Sequence, residues 1–140
     1  MRKRTNSWAL AACVAATPFV STGAAAGQLD GSSDMVCAVT DAVACLENAN
    51  CAQGQARDFE LPAIMVVDSK QKVVRGALES GEKAVSSIKN SERSGDHLIL
   101  QGVENGRSWD IAINTNNGKM SASLVGDGIS FLTFGICTAP

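Results

Sequence analysis

Short apolar segments alternate with turn-forming residues from Pro62 to the C-terminus, at spacings that are typical of β-strands rather than of helices. Three of the turns carry a strong signal: Asn105-Gly106, Asn117-Gly118 and Asp127-Gly128. Asn-Gly and Asp-Gly pairs favour the two-residue type I′ turn, whose twist matches that of the flanking strands. The pattern therefore predicts a run of antiparallel hairpins.

Taking each pair as the centre of a two-residue turn predicts the register of the strands. A turn at Asn105-Gly106 sets Leu100 opposite Ile111, and a turn at Asn117-Gly118 sets Ile111 opposite Leu124. The three turns together place the large apolar side chains on one face, which a slip of one residue would scatter. The predicted inner face holds Leu98, Leu100, Trp109, Ile111, Ile113, Met120, Leu124 and Phe131.

Further strands precede these hairpins. We expect a hairpin of residues 63–67 and 72–76, then a strand from Lys83 to Lys89 and a polar loop from Asn90 to Gly95. The segment from Met35 to Cys45 fits either a strand or an amphipathic helix. The helix is possible because Met35, Val39 and Val43 recur every four positions. Its β-branched residues favour the strand.

Eight strands in sequential order form an antiparallel meander. Such a meander closes into a small barrel when its first and last strands meet, and otherwise stays a strongly curved half-barrel. No linker or repeat divides residues 35–140, so the sequence predicts one all-β domain there. We expect residues 27–34, which are rich in Gly and Ser, to form a flexible N-terminus of the mature chain.

The first 26 residues have the features of a secretory signal peptide. Arg2-Lys3-Arg4 precedes an apolar run from Trp8 to Val20, and small residues ending at Ala26 suit signal peptidase. Two other interpretations are a lipoprotein anchored at Cys13, which ends the lipobox-like Leu-Ala-Ala-Cys, and an uncleaved anchor. We favour cleavage after Ala26, because only five apolar residues precede Cys13. The mature protein is then expected in the bacterial periplasm or outside the cell, and not in a membrane.

Charge argues against nucleic acid as a partner. Removing residues 1–26 takes away three of the 12 basic residues and none of the 14 acidic ones, which leaves a net charge of about −5. No cluster of Lys and Arg remains to follow a phosphate backbone.

Four cysteines remain after cleavage, an even number in a compartment where disulfides persist. Of the three pairings that four cysteines allow, we favour Cys45 with Cys51 and Cys37 with Cys137. The first pair closes a short loop, and the second ties the first strand to the last. Closing about 100 residues is worth roughly 4–5 kcal/mol in the chain-entropy model.

Little in the sequence indicates catalysis. His97 is the only histidine, and a lone histidine at the start of a strand is usually solvated. Acidic pairs such as Asp58 with Glu60, or Asp68 with Asp110, are explained by solvated charge. There is no C-x-x-C pair for zinc or redox chemistry and no G-x-S-x-G nucleophile elbow. We therefore expect no catalytic residue, cofactor or metal.

The last strand carries large apolar residues on its predicted outer side. The register points Leu132, Phe134 and Ile136 away from the inner face. One interpretation is that the N-terminal segment or a loop such as Leu46 to Glu60 covers them. The other is an exposed patch that binds a protein partner or a second copy of the chain.

Several segments resemble a group of small exported bacterial proteins of unknown function. They are Leu61-Pro62, Val67-Asp68, Leu100 to Trp109, Asn117 to Met120 and Phe134 to Thr138. This resemblance covers most of the mature chain and implies no activity. In outline the chain is also similar to periplasmic barrels that inhibit C-type lysozymes, which likewise link an early cysteine to a C-terminal one. Their inhibitory loop has Ser-Gly followed by Tyr, whereas Ser80-Gly81-Glu82-Lys83 has no tyrosine to complete it.

These features lead us to expect a non-enzymatic binding or accessory module. The alternatives are a protein similar to the lysozyme inhibitors, an enzyme that uses acidic residues, and a carrier of a small apolar ligand inside the barrel, lined by Trp109, Ile111 and Phe131. We rank carriage lower, because the interior of an eight-stranded barrel is usually filled by its own side chains. A closed, apolar pocket of about 300 Å³ or more would favour carriage, and its absence would favour binding through the surface.

Overall fold

A computed structural model describes residues 28–140, so the predicted signal peptide (residues 1–26) and Cys13 lie outside the described residues. A 3₁₀ helix (Ala56–Phe59) lies between the second and third strands. The strands are β1 (Met35–Leu46), β2 (Cys51–Gly54), β3 (Ile64–Asp68), β4 (Val73–Ala77), β5 (Lys83–Ser94), β6 (His97–Glu104), β7 (Arg107–Asn114), β8 (Lys119–Gly126) and β9 (Ile129–Thr138).

Eight of these strands form a closed antiparallel barrel. β3 to β9 follow one another in sequential order, and β1 pairs with both β3 and β9 and so closes the ring. This confirms the predicted all-β meander and decides for the barrel over the half-barrel. β2, which the sequence analysis treats as part of a loop, pairs with the end of β1 outside the ring.

β1 joins three neighbours because it is 12 residues long. Its first four residues pair with β3, its last residues pair with β2, and β9 runs along nearly its whole length. A bulge between Val39 and Asp41 bends the strand where its partner changes from β3 to β2. The segment is thus a strand, as its β-branched residues indicate, and not an amphipathic helix.

Two of the three predicted turns are confirmed. Asn105 and Gly106 both have positive φ angles, 50° and 78°, as do Asp127 and Gly128, with 55° and 72°. A type I′ turn requires positive φ at both central residues. The register that follows from them, with Leu100 opposite Ile111, is the observed one.

The third turn differs from the prediction. β7 and β8 are joined by the four residues 115–118 rather than by two, so Ile111 lies opposite Ala122 and not opposite Leu124. The reason is the side chain of Asn114, whose Oδ1 accepts hydrogen bonds from the backbone N–H groups of Asn116 and Asn117 at 3.0 and 3.2 Å. The register shifts by two residues, so every side chain keeps its predicted face.

Upstream, one strand is longer than predicted. The segment from Asn90 to Ser94 continues β5 instead of forming a polar loop, and a two-residue turn of Gly95 and Asp96 leads into β6. A register irregularity between Ile88 and Asn90 lets this polar segment pair with β6 while its side chains stay exposed. Polarity alone therefore does not mark a loop in this part of the chain.

Both disulfides join the pairs of cysteines that the sequence favours. Cys37 and Cys137 lie directly opposite each other on β1 and β9 and are 0% and 2% exposed. Cys45 and Cys51 lie opposite each other on β1 and β2, at the outer edge of the sheet. Two disulfides indicate that the protein folds in an oxidising compartment.

One end of the barrel interior is filled by large side chains. Cys37 and Cys137 pack there together with Met35, Val67, Leu98, Leu100, Ile113 and Met120, none of which is more than 3% exposed. Leu29 packs against this cluster, and the Ser69 backbone N–H donates to Asp34 at 2.9 Å. The segment before β1 therefore lies against the filled end.

Candidate functional site

The other half of the barrel interior contains a cavity of about 530 Å³ that is partly open to solvent. This volume lies within the range of about 300–1,000 Å³ that is typical of small-molecule sites. The cavity begins where the inward side chains become small: Gly76 on β4, Ala84 and Ser86 on β5, and Ala122 on β8. The expectation that side chains fill the whole interior is wrong for this half of the barrel.

Aromatic side chains contribute to the cavity wall. All three residues predicted to line the interior do line the cavity: the aromatic Trp109 and Phe131, and the aliphatic Ile111. The indole Nε1 of Trp109 donates a hydrogen bond to Ser86 Oγ at 2.8 Å. Gly102, directly opposite Trp109, leaves the space that the indole occupies, because a Cβ at that position would lie 2.2 Å from Trp109 Cζ2.

A third ring is supplied by the segment between β1 and β3. Phe59, at the end of the 3₁₀ helix, packs against Phe131 with their ring centroids 6.3 Å apart and their planes at 57°. We call residues 51–62, which comprise β2, the 3₁₀ helix and the turn before β3, the strap. The strap lies over the cavity, since Phe59, Glu60, Leu61 and Pro62 all line it.

Several local features hold the strap in place. The Cys45–Cys51 disulfide anchors its start to β1. The Asp58 carboxylate accepts a hydrogen bond from the Gln55 backbone N–H at 2.8 Å and so caps the 3₁₀ helix. Ala56 is buried at 3% exposure, and its carbonyl accepts a hydrogen bond from the Leu61 backbone N–H. The strap is therefore fixed at both ends of its helical turn.

Charged residues surround the cavity mainly at strand ends and turns. Five of the six that line it are Glu60, Glu82, Lys83, Glu104 and Arg107, all at the same end of the barrel. Arg107 also lies 3.5 Å from the Asp127 carboxylate, measured from Nε to Oδ2. The sixth, Asp110, accepts a hydrogen bond from the Ser123 hydroxyl. The interior is thus apolar and aromatic, with a charged rim.

His97, Asp58 and Asp68 do not line the cavity. Neither acidic pair named from the sequence therefore comes together there, although Glu60 and Asp110 each line it. His97 is exposed at the start of β6, whereas the cavity lies beside the other end of that strand. Asp68 accepts hydrogen bonds from the Gln71 backbone N–H and from Arg75, both at 2.7 Å, and these hold the pKa of its carboxyl below its ordinary value. Asp58 caps the strap helix, so these carboxylates have structural partners.

The predicted outer patch is exposed. Leu132, Phe134 and Ile136 are 46%, 46% and 47% exposed, so neither the loop from Leu46 to Glu60 nor the described part of the N-terminal segment covers them. Three exposed residues of β1 and β3, which were not predicted from the sequence, extend this patch. We call the whole set the outer apolar face: Val36, Ile64, Val66, Leu132, Phe134 and Ile136.

Residues 28–140 contain neither a metal-binding cluster nor a membrane-spanning helix. No group of three or more His, Cys, Asp or Glu side chains in this range is placed to hold a metal ion. No helix within it has the length and apolar character needed to cross a membrane.

The fold and the cavity define a disulfide-linked β-barrel with an apolar site at one end. Comparison of the sequence with models of known protein families finds no match, and no curated protein matches it. The resemblance to small exported bacterial proteins, and the weaker one to lysozyme inhibitors, therefore stay predictions. Ser80 and Gly81 lie in the exposed turn between β4 and β5, beside the charged rim.

Proposed function

We propose that this protein is an exported, non-enzymatic binding protein that holds a small apolar ligand in the barrel cavity. The observation that carries the proposal is the cavity of about 530 Å³, walled by Trp109, Ile111 and Phe131 and partly open to solvent. The volume exceeds the expected 300 Å³ and the wall is mainly apolar, although the cavity is partly open rather than closed; on volume and wall chemistry we rank carriage above a module that acts only through its surface.

Export to the periplasm or the cell exterior belongs to the same proposal. The signal-peptide pattern of residues 1–26 and the two disulfides support it. A carrier outside the cytoplasm needs a fold that stays closed while its ligand enters and leaves. The Cys37–Cys137 disulfide supports this, because it joins the two strands that close the ring.

Direct binding tests the proposal. We expect isothermal titration with two neutral probes, 1-decanol and 2-naphthol, to show one site per chain for at least one of them. Burial of apolar surface predicts a negative heat-capacity change on binding. If neither probe binds at concentrations up to its solubility limit, the barrel is not an apolar-ligand carrier.

The outer apolar face favours a second candidate, pairing with another copy of this chain. Asp41 lies opposite Phe134 on one side of β9, and Lys119 lies opposite Ile136 on the other side. Both charged residues are exposed. A two-fold axis parallel to β9 would place two outer faces together and bring Asp41 of each copy toward Lys119 of the other. The face is thus self-complementary in charge as well as apolar.

Sedimentation velocity tests this pairing. We expect the wild-type protein to form a dimer at high micromolar concentration and Phe134→Ser to remain a monomer. Val103→Ser is the matched control, because Val103 is 59% exposed on β6, away from the outer apolar face. Lys119→Asp should also weaken the dimer, and adding Asp41→Lys should restore it. A wild-type protein that stays monomeric would exclude self-association.

A further inference from the structure

Aromatic residues are concentrated at the cavity. Residues 28–140 contain four aromatic side chains, and three of them line the cavity, namely Phe59, Trp109 and Phe131. The fourth, Phe134, lies on the outer apolar face. The buried residues of the filled end include no aromatic residue, so burial in this barrel does not by itself require rings. The placement of the rings therefore carries information about the ligand.

Trp109 offers its ring system, and not its N–H group, to a ligand. The Nε1 atom already donates to Ser86 Oγ at 2.8 Å. The indole also lies against Gly102, so one side of the ring rests on β6 while the residue lines the cavity. A ligand beside Trp109 would meet aromatic surface, which attracts other rings in offset-stacked or edge-to-face arrangements.

Phe59 and Phe131 form a second aromatic surface. Their tilt of 57° at a centroid distance of 6.3 Å is close to an edge-to-face arrangement. Small residues elsewhere in the wall, such as Ala84 and Ala122, leave room for a rigid ligand. The charged residues lie mainly around the rim, where a polar substituent of the ligand could reach solvent or a hydrogen-bonding partner.

We infer that the ligand is an uncharged, planar, ring-bearing molecule that packs between Trp109 and the Phe59–Phe131 pair, with its polar group toward the charged rim. The inference rests on the proposed function and narrows it from apolar ligands in general to aromatic or fused-ring ones. Contact between two rings contributes binding free energy beyond that of the buried apolar area. Removal of one ring from the wall therefore weakens the binding of an aromatic ligand more than that of an aliphatic one.

Two probes of matched composition test the inference. 2-Naphthol and 1-decanol each have ten carbon atoms and one hydroxyl group, but only the first is aromatic. The measurements use the mature protein expected after cleavage at Ala26, which lacks Trp8, so Trp109 is its only tryptophan and reports 1-decanol binding by its fluorescence. Titration calorimetry measures the binding of both probes, including 2-naphthol, whose own fluorescence overlaps that of tryptophan.

We expect Phe131→Leu to weaken 2-naphthol binding by about tenfold and 1-decanol binding by less than about twofold. Phe59→Leu should act in the same direction, and because Phe59 lies on the strap, this substitution changes no side chain of a barrel strand. The matched control is Phe134→Leu. Phe134 lies on β9, as Phe131 does, but its ring points outward, so this substitution should change neither affinity.

The outcomes separate this inference from the proposed function. Equal weakening of both probes in Phe131→Leu and Phe59→Leu would overturn the preference for rings and leave carriage of apolar ligands standing. A parent protein that binds 1-decanol but not 2-naphthol would also overturn the preference for rings and leave carriage standing. Failure of the parent protein to bind either probe would overturn both. Selective loss of 2-naphthol affinity in either inward variant, with none in Phe134→Leu, would support the inference.

Discussion

Replacing both cysteines of the long disulfide, in Cys37→Ala/Cys137→Ala, is expected to lower the free energy of unfolding by about 4–5 kcal/mol. The disulfide closes a loop of 100 residues, which is nearly as long as the domain. The unfolded chain therefore gains much conformational freedom when this disulfide is removed. The pair also lies where β1 meets β9 and the ring closes. Because small domains are stable by only about 5–15 kcal/mol, this loss is a large fraction of the total.

Urea unfolding followed by circular dichroism measures the effect under oxidising conditions. Cys45→Ala/Cys51→Ala is the control, because a separation of only six residues predicts a loss of about 2 kcal/mol. Equal losses in the two variants would contradict the role given to the long disulfide in closing the barrel.

Filling the cavity is expected to weaken ligand binding and to strengthen the fold. In Ala84→Phe/Ala122→Phe, two phenyl rings enter from β5 and β8 and occupy space that a ligand would need. We expect 1-decanol and 2-naphthol affinities to fall by at least about tenfold, or about 1.4 kcal/mol. The added apolar burial should raise the free energy of unfolding by about 1 kcal/mol.

Opposite signs for binding and stability distinguish a ligand cavity from a packed core. In a filled interior the same substitutions would force strain and lower stability by about 1–3 kcal/mol. Ala112→Phe is the matched control, since Ala112 lies opposite Ser121 on the outer side of β7 and β8. It should leave both affinities unchanged.

Much of the fold could be predicted from the sequence because turn chemistry and alternation specify the same register. Asn105-Gly106 and Asp127-Gly128 fix their hairpins by the positive φ angles that they adopt readily. At Asn117-Gly118 the prediction was wrong, because Asn114 outside the pair captures two backbone N–H groups and lengthens the turn. A local rule on two residues does not include a competing side chain three positions earlier.

The cavity could not be predicted in the same way. Alternation identifies which side chains point inward, but it does not say which of them face one another across a closed barrel. The small residues Gly76, Ala84 and Ala122 are signals visible in the sequence, and only the closure of β1 on β9 brings them around one space. Phe59 was missed because its position depends on the strap, a segment that resembles an ordinary loop.

The most direct test of the central claim is the structure of a crystal of this protein pressurised with xenon, which enters apolar cavities. We predict xenon density in the half of the barrel lined by Trp109, Ile111 and Phe131, and none among the side chains around the Cys37–Cys137 disulfide. A barrel without xenon, in which Phe59 and Trp109 fill the interior, would contradict the claim that it contains a ligand site.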